Sequence, residues 1–359
     1  MLSGIHGPLH PVADIIKKKD GRTDSPESER TQMQNNMLEE RMDSIMSEQK
    51  EKKYAAAVDI GGTSTRIALV DEDYNVLKRV QFATMTDDPM ENSKKIASII
   101  LSYDRPIEGI GISVPGVLDT EEGKIRMAAN FGDRWIGFPL ADTISELAQA
   151  PAWIANDANL AALAEAAAGE GKDDRVVQFL TISTGIGAGL IVDKEIYEGA
   201  HGLGDEVCNC ILWKDGPGQG VLADGAVEAI CSGTAITRRA REAGLEVNHA
   251  GEVNQMAVQG NEAAMEIMDD AKEYLANMIG ILMAVSDPDI VVLGGSVAMK
   301  TPGFVEDVEK RVRDKVNPVL RPYAKVHRST LSEDSGLIGA AALAFLNREK
   351  TKDGSDSRN

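Results

Sequence analysis

Asn156, Asp157 and Asn159 stand where an apolar run, Trp153-Ile154-Ala155, gives way to the Ala- and Leu-rich run Leu160-Ala-Ala-Leu-Ala-Glu165. The first run follows Pro151 and reads as the end of a buried strand; the second reads as a helix. A carboxylate at such a join lies beyond the carboxyl end of a strand, where α/β sheets bind ligands, and beside helix amides that favour anions. Asp157 is thereby placed for chemistry. It is equally placed to be a plain N-cap, accepting an amide hydrogen of the helix it starts, and this stretch alone does not separate the two readings.

Glycine turns supply the second kind of candidate. Asp59-Ile-Gly-Gly-Thr-Ser-Thr-Arg66 joins the strand Tyr54–Val58 to the strand Ile67–Val70 as a β-hairpin. Gly61 and Gly62 let backbone approach a ligand closely, and Thr63, Ser64 and Thr65 add hydroxyl donors. Asp59 is a candidate to hold Mg²⁺, directly or through water. The turn lacks the Gly-Lys-Ser/Thr ending of a P-loop, and a tight hairpin without a ligand remains the simpler reading of this turn in isolation. The design then recurs: Val176–Ile182, the turn Ser183-Thr-Gly-Ile-Gly-Ala-Gly189, and Leu190–Val192. Thr184, Gly185 and Gly187 are its candidate ligand-facing residues. A third glycine turn, Gly294-Gly295-Ser296-Val297-Ala298, follows the buried strand Asp289–Leu293 and offers bare backbone to a flat base or ribose.

The elements that must position these groups alternate between strands and helices. A third strand is expected over Val76–Ala83, a helix over Asn92–Ser102 with Ile96, Ile99 and Ile100 on one face, and a strand over Ile107–Val114. Residues 128–140 read as an irregular loop rich in aromatic and amide groups, and Ala141–Ala150 as a helix. Residues 197–233 read as loop-rich. A helix capped by Ser232 or Thr234 follows, then a long helix over Asn261–Val285 stopped by Asp287-Pro288, a helix over Phe304–Val316, and a closing helix of small residues over 337–348. The two related halves form an N-terminal α/β domain, 54–171, closed by that last helix, and a C-terminal α/β domain, 172–336. Residues 1–53 are polar and mixed in charge and read as a disordered tail, with a weakly amphipathic helix over Gln32–Lys52. The last residues, 349–359, are polar as well.

At 359 residues, the chain is long enough for two domains. With 38 Lys and Arg against 57 Asp and Glu, the net charge is −19, which argues against non-specific nucleic-acid or anionic-membrane binding. The three cysteines, Cys208, Cys210 and Cys231, make no disulfide framework and point to a cytoplasmic protein. No apolar run is long enough to span a bilayer, the N-terminus lacks the apolar core of a signal peptide, and no helix-turn-helix pattern precedes residue 54.

Taken in order, these stretches resemble the motifs of the ROK family of sugar kinases and repressors, within the actin/hexokinase-like superfamily. Asp59-Ile-Gly-Gly-Thr63 looks like its first phosphate motif, Ser183-Thr-Gly-Ile-Gly187 like its second, Gly294-Gly295-Ser296 like its adenosine motif, and Asn156-Asp157-Ala158-Asn159 like its sugar and catalytic motif. The resemblance spans about residues 54–345. It implies two actin-like (ribonuclease H-like) α/β domains flanking a deep cleft, with ATP and Mg²⁺ between the glycine turns and a hexose deeper in. It implies that Asp157 accepts the proton of the attacking sugar hydroxyl, and that Asn130 and Asn156 bind sugar hydroxyls. Homodimers are common among such relatives, and one is expected here.

One part of the pattern departs. The family usually carries Glu-x-Gly-His and a Cys-x-Cys-Gly-x-x-Gly-Cys-x-Glu run, whose His and three Cys bind zinc. Here Glu206-Val-Cys-Asn209 keeps the first glutamate, and Asn209 replaces the histidine. Glu228 keeps the last glutamate, while the cysteine positions fall on Gln219, Val221 and Ala226. No structural zinc is therefore expected. Glu206, Asn209 and Glu228 remain expected sugar contacts, with glucose preference in doubt. Cys208, Cys210, Cys231 and His201 are candidates for a different four-ligand site, or the cysteines are simply free thiols. The expected activity is ATP-dependent phosphorylation of a hexose hydroxyl, most often the 6-hydroxyl, on a glucose-like sugar or N-acetylhexosamine. β-Glucosides are the alternative substrate, and a non-catalytic sugar-sensing regulator the alternative of another class.

Overall fold

The computed structural model describes residues 52–128, 130–331 and 333–354. The expected tail and its polar helix lie, but for Lys52 and Lys53, outside these residues.

Strands β1 (Tyr54–Ile60), β2 (Ser64–Asp71), β3 (Val76–Ala83), β4 (Ile110–Val114) and β7 (Ala152–Asn156) form one sheet in the order β3-β2-β1-β4-β7. A short hairpin of β5 (Val117–Asp119) and β6 (Lys124–Met127) stands apart from it. Strands β8 (Val176–Ile182), β9 (Ile186–Val192), β10 (Glu195–Ile196), β11 (Ile290–Gly294) and β12 (Val326–Arg328) form the second sheet in the order β10-β9-β8-β11-β12. The two sheets share one plan. In each, the first strand pairs antiparallel with the second and parallel with the fourth member of the set, as the repeated strand–turn–strand pattern predicts.

The helices are α1 (Pro89–Leu101), α2 (Leu140–Ala148), α3 (Asp157–Ala168), α4 (Val227–Cys231), α5 (Gly233–Glu242), α6 (Ala250–Val258), α7 (Glu262–Ser286), α8 (Gly295–Lys300), α9 (Phe304–Lys315) and α10 (Ser335–Lys352). Alternation along β1 sorts its side chains between two cores. Val58 and Ile60 join Ile96 of α1 and Ile144 of α2 on one face of the first sheet. Ala55 and Ala57 join a central core shared with α3, α10 and the facing residues Val177, Phe179 and Val292 of the second sheet. The outer face of the second sheet packs on α7 and α9 through Leu180, Val291, Leu275 and Val308. Both sheets are thus covered on both faces, which is why their inner strands read as nearly continuous apolar runs.

Close approach in the central layer depends on missing side chains. A Cβ on Gly339 of α10 would lie 1.9 Å from the carbonyl oxygen of Leu160 in α3, and one on Gly111 of β4 would lie 1.7 Å from that of Ala340. This is the packing foreseen for the closing helix, which starts two residues earlier and ends four later than the small-residue run suggests.

Three local expectations change. Helix α1 starts at Pro89 rather than Asn92, because Asp88 accepts the amide hydrogen of Glu91 (3.2 Å) and proline suits the first turn. Residues 128–140 are less irregular than expected: a 3₁₀ turn over Asp133–Trp135 inserts Trp135, fully buried, into the outer core. The third glycine stretch is not an open turn, since β11 runs through Gly294 and α8 begins at Gly295.

Candidate active site

Asn156 shapes the join between β7 and α3. Its Oδ1 accepts the amide hydrogen of Ala158 (2.8 Å) and its Nδ2 donates to the carbonyl of Gly116 (3.0 Å). Asn156 is therefore the cap of α3, and Asp157 is the first helical residue. The Asp157 carboxylate keeps one local contact, Oδ1 to the Ala158 amide at 3.0 Å. The residue is exposed to solvent at the start of the helix. Burial first, and then the charge of Asp59, push its pKa up from the ordinary aspartate value. Glu206 is raised in turn by burial and by the charge of Asp157. Asp59, Asp157 and Glu206 thus converge from β1, α3 and the loop after β10.

The first glycine turn closes with the Gly61 amide donating to Ser64 O (3.0 Å). Its carbonyl at Gly61 accepts from Thr84 Oγ1 (2.6 Å), and the Thr84 amide donates to Thr63 O (3.1 Å). Thr65 is fully buried, with its hydroxyl on that of Thr84 (2.9 Å), so of the three hydroxyls only Thr63 and Ser64 remain for a ligand. Gly62 leaves room for Asn130: an added Cβ would come within 2.7 Å of the Asn130 Cβ. Asn130 is thereby brought against this turn. Asp59 Oδ2 accepts from Arg66, with Nε at 3.0 Å, while Arg66 also donates to the carbonyl of Glu333 (2.8 Å). Arg66 was not singled out from the sequence; its place opposite Asp59 in the hairpin register is the signal that marks it.

The second glycine turn is tied to the helices around it. The Gly233 amide at the start of α5 donates to Ser183 O (2.7 Å), and Ser183 Oγ meets Ser296 Oγ of α8 at 3.2 Å. Glu228 Oε2 accepts the amide hydrogen of Ile186 (2.7 Å), and a Cβ on Gly185 would strike the same oxygen at 2.6 Å. Glu228 therefore braces this turn. Thr184 is exposed at the tip. Gly187 has a different reason to be glycine: its bare face meets Ala158 Cβ, which an added Cβ would approach to 2.9 Å, so β9 packs directly on α3. Gly294 and Gly295 are likewise demanded by packing against β8. A Cβ on Gly294 would lie 2.8 Å from Phe179, and one on Gly295, whose φ is +83°, 2.4 Å from Ile182 O.

Beside the second turn opens a cavity of about 1150 Å³, lined by Ser183, Thr184, Thr234, Ser296 and Lys300 and by Arg238 and Arg241 of α5. It is large enough for a nucleotide-sized molecule, and Ser183 and Thr184 of the second turn are part of its wall.

The loop after β10 does not gather metal ligands. Among the described residues no group of three or more His, Cys, Asp or Glu side chains is placed to hold a metal ion. Cys208 and Cys210 are half-buried free thiols and Cys231 is a buried one, each pushed up in pKa chiefly by burial. The fold does not bring them to His201 as a four-ligand site. Asn209, expected at a ligand, accepts the amide hydrogen of Ala223 through Oδ1 (2.8 Å) and so pins the loop to itself. Trp213 stacks on Tyr274 of α7, ring centroids 5.1 Å apart, with the Arg239 guanidinium 5.6 Å from its ring.

The model of the ROK family matches residues 55–346. The chain belongs to the ROK family. It is 31% identical over 304 residues to the glucokinase of Thermotoga maritima, covering 80% of this chain and 95% of that protein. It is 30% identical over 288 residues to an N-acetylmannosamine kinase of Yersinia pestis, covering 80% and 97%. Among solved structures it is similar to the ROK hexokinase of Thermus thermophilus, at a TM-score of 0.75 and 30% identity, with 84% of this chain and all of that one covered (100%). The ROK match spans both sheets and every residue of the converging site.

Proposed function

We propose that this chain is an ATP-dependent sugar kinase that transfers the γ-phosphate to a hydroxyl of a hexose or N-acetylhexosamine, the 6-hydroxyl in particular. The observation that carries this reading is that Asn156 fills the cap of α3, which relieves the Asp157 carboxylate of that role at the strand-to-helix join beside Asp59 and the second glycine turn.

In phosphoryl transfer the protein mainly positions groups and stabilises charge. Asp157 orients the attacking hydroxyl and takes its proton as the new bond forms. Its raised pKa makes it a better acceptor than an ordinary aspartate. Asn130, Glu206 and Glu228 hold sugar hydroxyls around it. Asn156 contributes through the second hydrogen on Nδ2, and Asn209 through Nδ2, its Oδ1 already accepting from the Ala223 amide. Backbone and hydroxyls of Gly61, Gly62 and Thr63, and of Thr184, Gly185 and Gly187, line the phosphate path. Gly294 and Gly295 admit the adenosine end into the cavity by keeping α8 close on β8. Asp59 would hold a divalent cation through the acceptor capacity left beside the Arg66 contact on Oδ2. Mg²⁺ held there, directly or through water, supplies charge neutralisation at the transferring phosphate. No structural zinc is part of this reading.

The lobes that close on the sugar are residues 54–171 with the last helix, and 172–336, in a cytoplasmic homodimer. Three free thiols fit a reducing compartment, and no helix among the described residues is long and apolar enough to cross a membrane. ADP release with Mg²⁺ and ATP tests the reading across glucose, mannose, fructose, N-acetylglucosamine, N-acetylmannosamine and a β-glucoside, with Asp157→Asn as control. One sugar giving fast turnover that Asp157→Asn abolishes is the expected result; turnover that survives the substitution sinks the assignment.

A further inference from the structure

Glu165 lies eight residues along α3 from Asp157 and is fully buried. A buried carboxyl group is costly unless its oxygens are bonded. Among the described residues no Lys, Arg or His is paired with this one. Its Oε2 accepts the amide hydrogen of Glu170 (3.0 Å), in the chain crossing from α3 to β8. Its Oε1 is hydrogen-bonded to Ser329 Oγ, in the return crossing from β12 to α10. The two crossings between the sheets thus meet on one side chain. Gly169 makes room for it, since a Cβ there would lie 2.1 Å from Oε2.

The hydrogens around Ser329 can be counted. Its hydroxyl has one hydrogen and faces two acceptors, Glu165 Oε1 and Leu331 O (3.1 Å). An ionised Glu165 leaves the single Ser329 hydrogen to be shared between the two acceptors. A protonated Glu165 donates from Oε1 to Ser329 Oγ, which donates onward to Leu331 O, and every group is satisfied. Burial raises the pKa of Glu165 in the direction that keeps this proton; the Ser329 hydroxyl and the Glu170 amide oppose it, and the Glu170 charge adds a smaller upward push. Glu170 is itself turned toward His327 of β12, with Nδ1 3.0 Å from its Oε2, and Lys194 nearby is spent on backbone carbonyls, among them Ala166 O (2.9 Å).

We propose that Glu165 is a positioning residue, a protonated carboxyl group that clamps both interlobe crossings to α3 and so sets where Asp157 stands relative to the second glycine turn. The catalytic half of this inference rests on the reading of Asp157 given above; the protonation half does not. Glutamine mimics a protonated glutamate, with an N–H for Ser329 Oγ and a carbonyl for the Glu170 amide, and leucine mimics only its bulk.

The test compares wild type, Glu165→Gln, Glu165→Leu and Ser329→Ala in the full chain. Glu165→Gln is expected to keep kcat within about twofold, and Glu165→Leu to lose about tenfold or more in kcat, as a small misplacement of reacting groups does. Sugar Kd by calorimetry stays close to wild type in both, and Ser329→Ala falls between them. Infrared difference spectra are expected to show a protonated-carboxyl stretch at neutral pH that disappears in Glu165→Gln. Absence of that band overturns the protonated clamp whether or not any sugar is turned over. Equal loss of kcat in Gln and Leu variants overturns it as well. Full turnover in Glu165→Leu, or parallel loss of sugar binding and kcat, removes the positioning role. Wild type that turns over no sugar but shows the band leaves the clamp standing and places the failure in the kinase reading.

Discussion

Asn156 Oδ1 lies 2.8 Å from the amide of Ala158 and fills the cap of α3. The neighbouring aspartate is therefore not needed to start the helix. Asp157→Asn is expected to lower kcat by about 10²–10⁴-fold, the usual contribution of a positioned base, with sugar Kd and folding little changed. Because burial and the Asp59 charge raise the pKa of Asp157, the ionised form is the less stable one in the folded chain. The substitution should leave Tm unchanged or slightly raised at pH 7. The acid limb of kcat/KM in the wild type should fall above the pH at which an ordinary aspartate titrates. Steady-state kinetics over pH, beside calorimetry and melts, checks all of these points.

Arg66→Met tests the hold on Asp59. Arg66 donates to Asp59 Oδ2 and to Glu333 O, joining β1, β2 and the approach to α10. Losing it frees Asp59 to move and leaves its charge nearer Asp157. The KM for Mg²⁺ and ATP should rise about tenfold, as for one lost charge-assisted hydrogen bond of about 1.5 kcal/mol. Sugar affinity should change less. A KM rise confined to the sugar would contradict the placement of Asp59 on the phosphate side.

Gly339→Ala should be among the most damaging single-methyl changes in this protein. Its Cβ would meet the Leu160 carbonyl at 1.9 Å, a backbone atom that no rotamer change can move. Separating α3 from α10 is expected to cost about 3 kcal/mol or more, lowering Tm by about 5–10 °C. A melt within a degree or two of wild type would mean that the two helices slide apart freely.

Asp205 gives a prediction with a sign. Burial raises its pKa from 3.8 to about 6, with Glu206 adding to the shift and Gln178 opposing it. The folded chain therefore holds the proton more tightly than the unfolded chain. That stabilisation is full below pH 3.8 and is lost as pH rises through about 6. Asp205→Asn removes the titration and suits the left-handed backbone there, φ +66°. The variant should gain about 1–2 kcal/mol over wild type at pH 7.5, allowing for partial solvent access, and little at pH 4. Urea melts at the two pH values decide; a variant no more stable at pH 7.5 refutes it.

Metal removal is the last test. With Asn209 on Ala223 and Trp213 on Tyr274 holding the loop, EDTA should leave Tm unchanged, unlike a fold that depends on a structural metal. Elemental analysis finding one zinc per chain, lost on substitution of Cys208 or Cys210, would overturn this account of the loop.

Period and punctuation in the sequence were enough for the repeated strand–turn–strand halves, the small-residue closing helix and the strand-to-helix join carrying Asn156 and Asp157. Those features are local: alternation, glycine at turns and helix periodicity act over a few residues. Local pattern could not say which of two adjacent polar residues would cap α3, because both chemistries suit that position. Nor could it separate Gly187, Gly294 and Gly295, which neighbouring backbone and side chains require, from glycines that merely open a turn. The bonding of Asn209 to Ala223, of Asp59 to Arg66 and of Glu228 to Ile186 likewise waited for the fold. The clamp on Glu165 is the extreme case, since its partner Ser329 lies 164 residues away. Only the folding of both sheets around α3 and α10 brings those two side chains together, and only then can the hydrogens between them be counted.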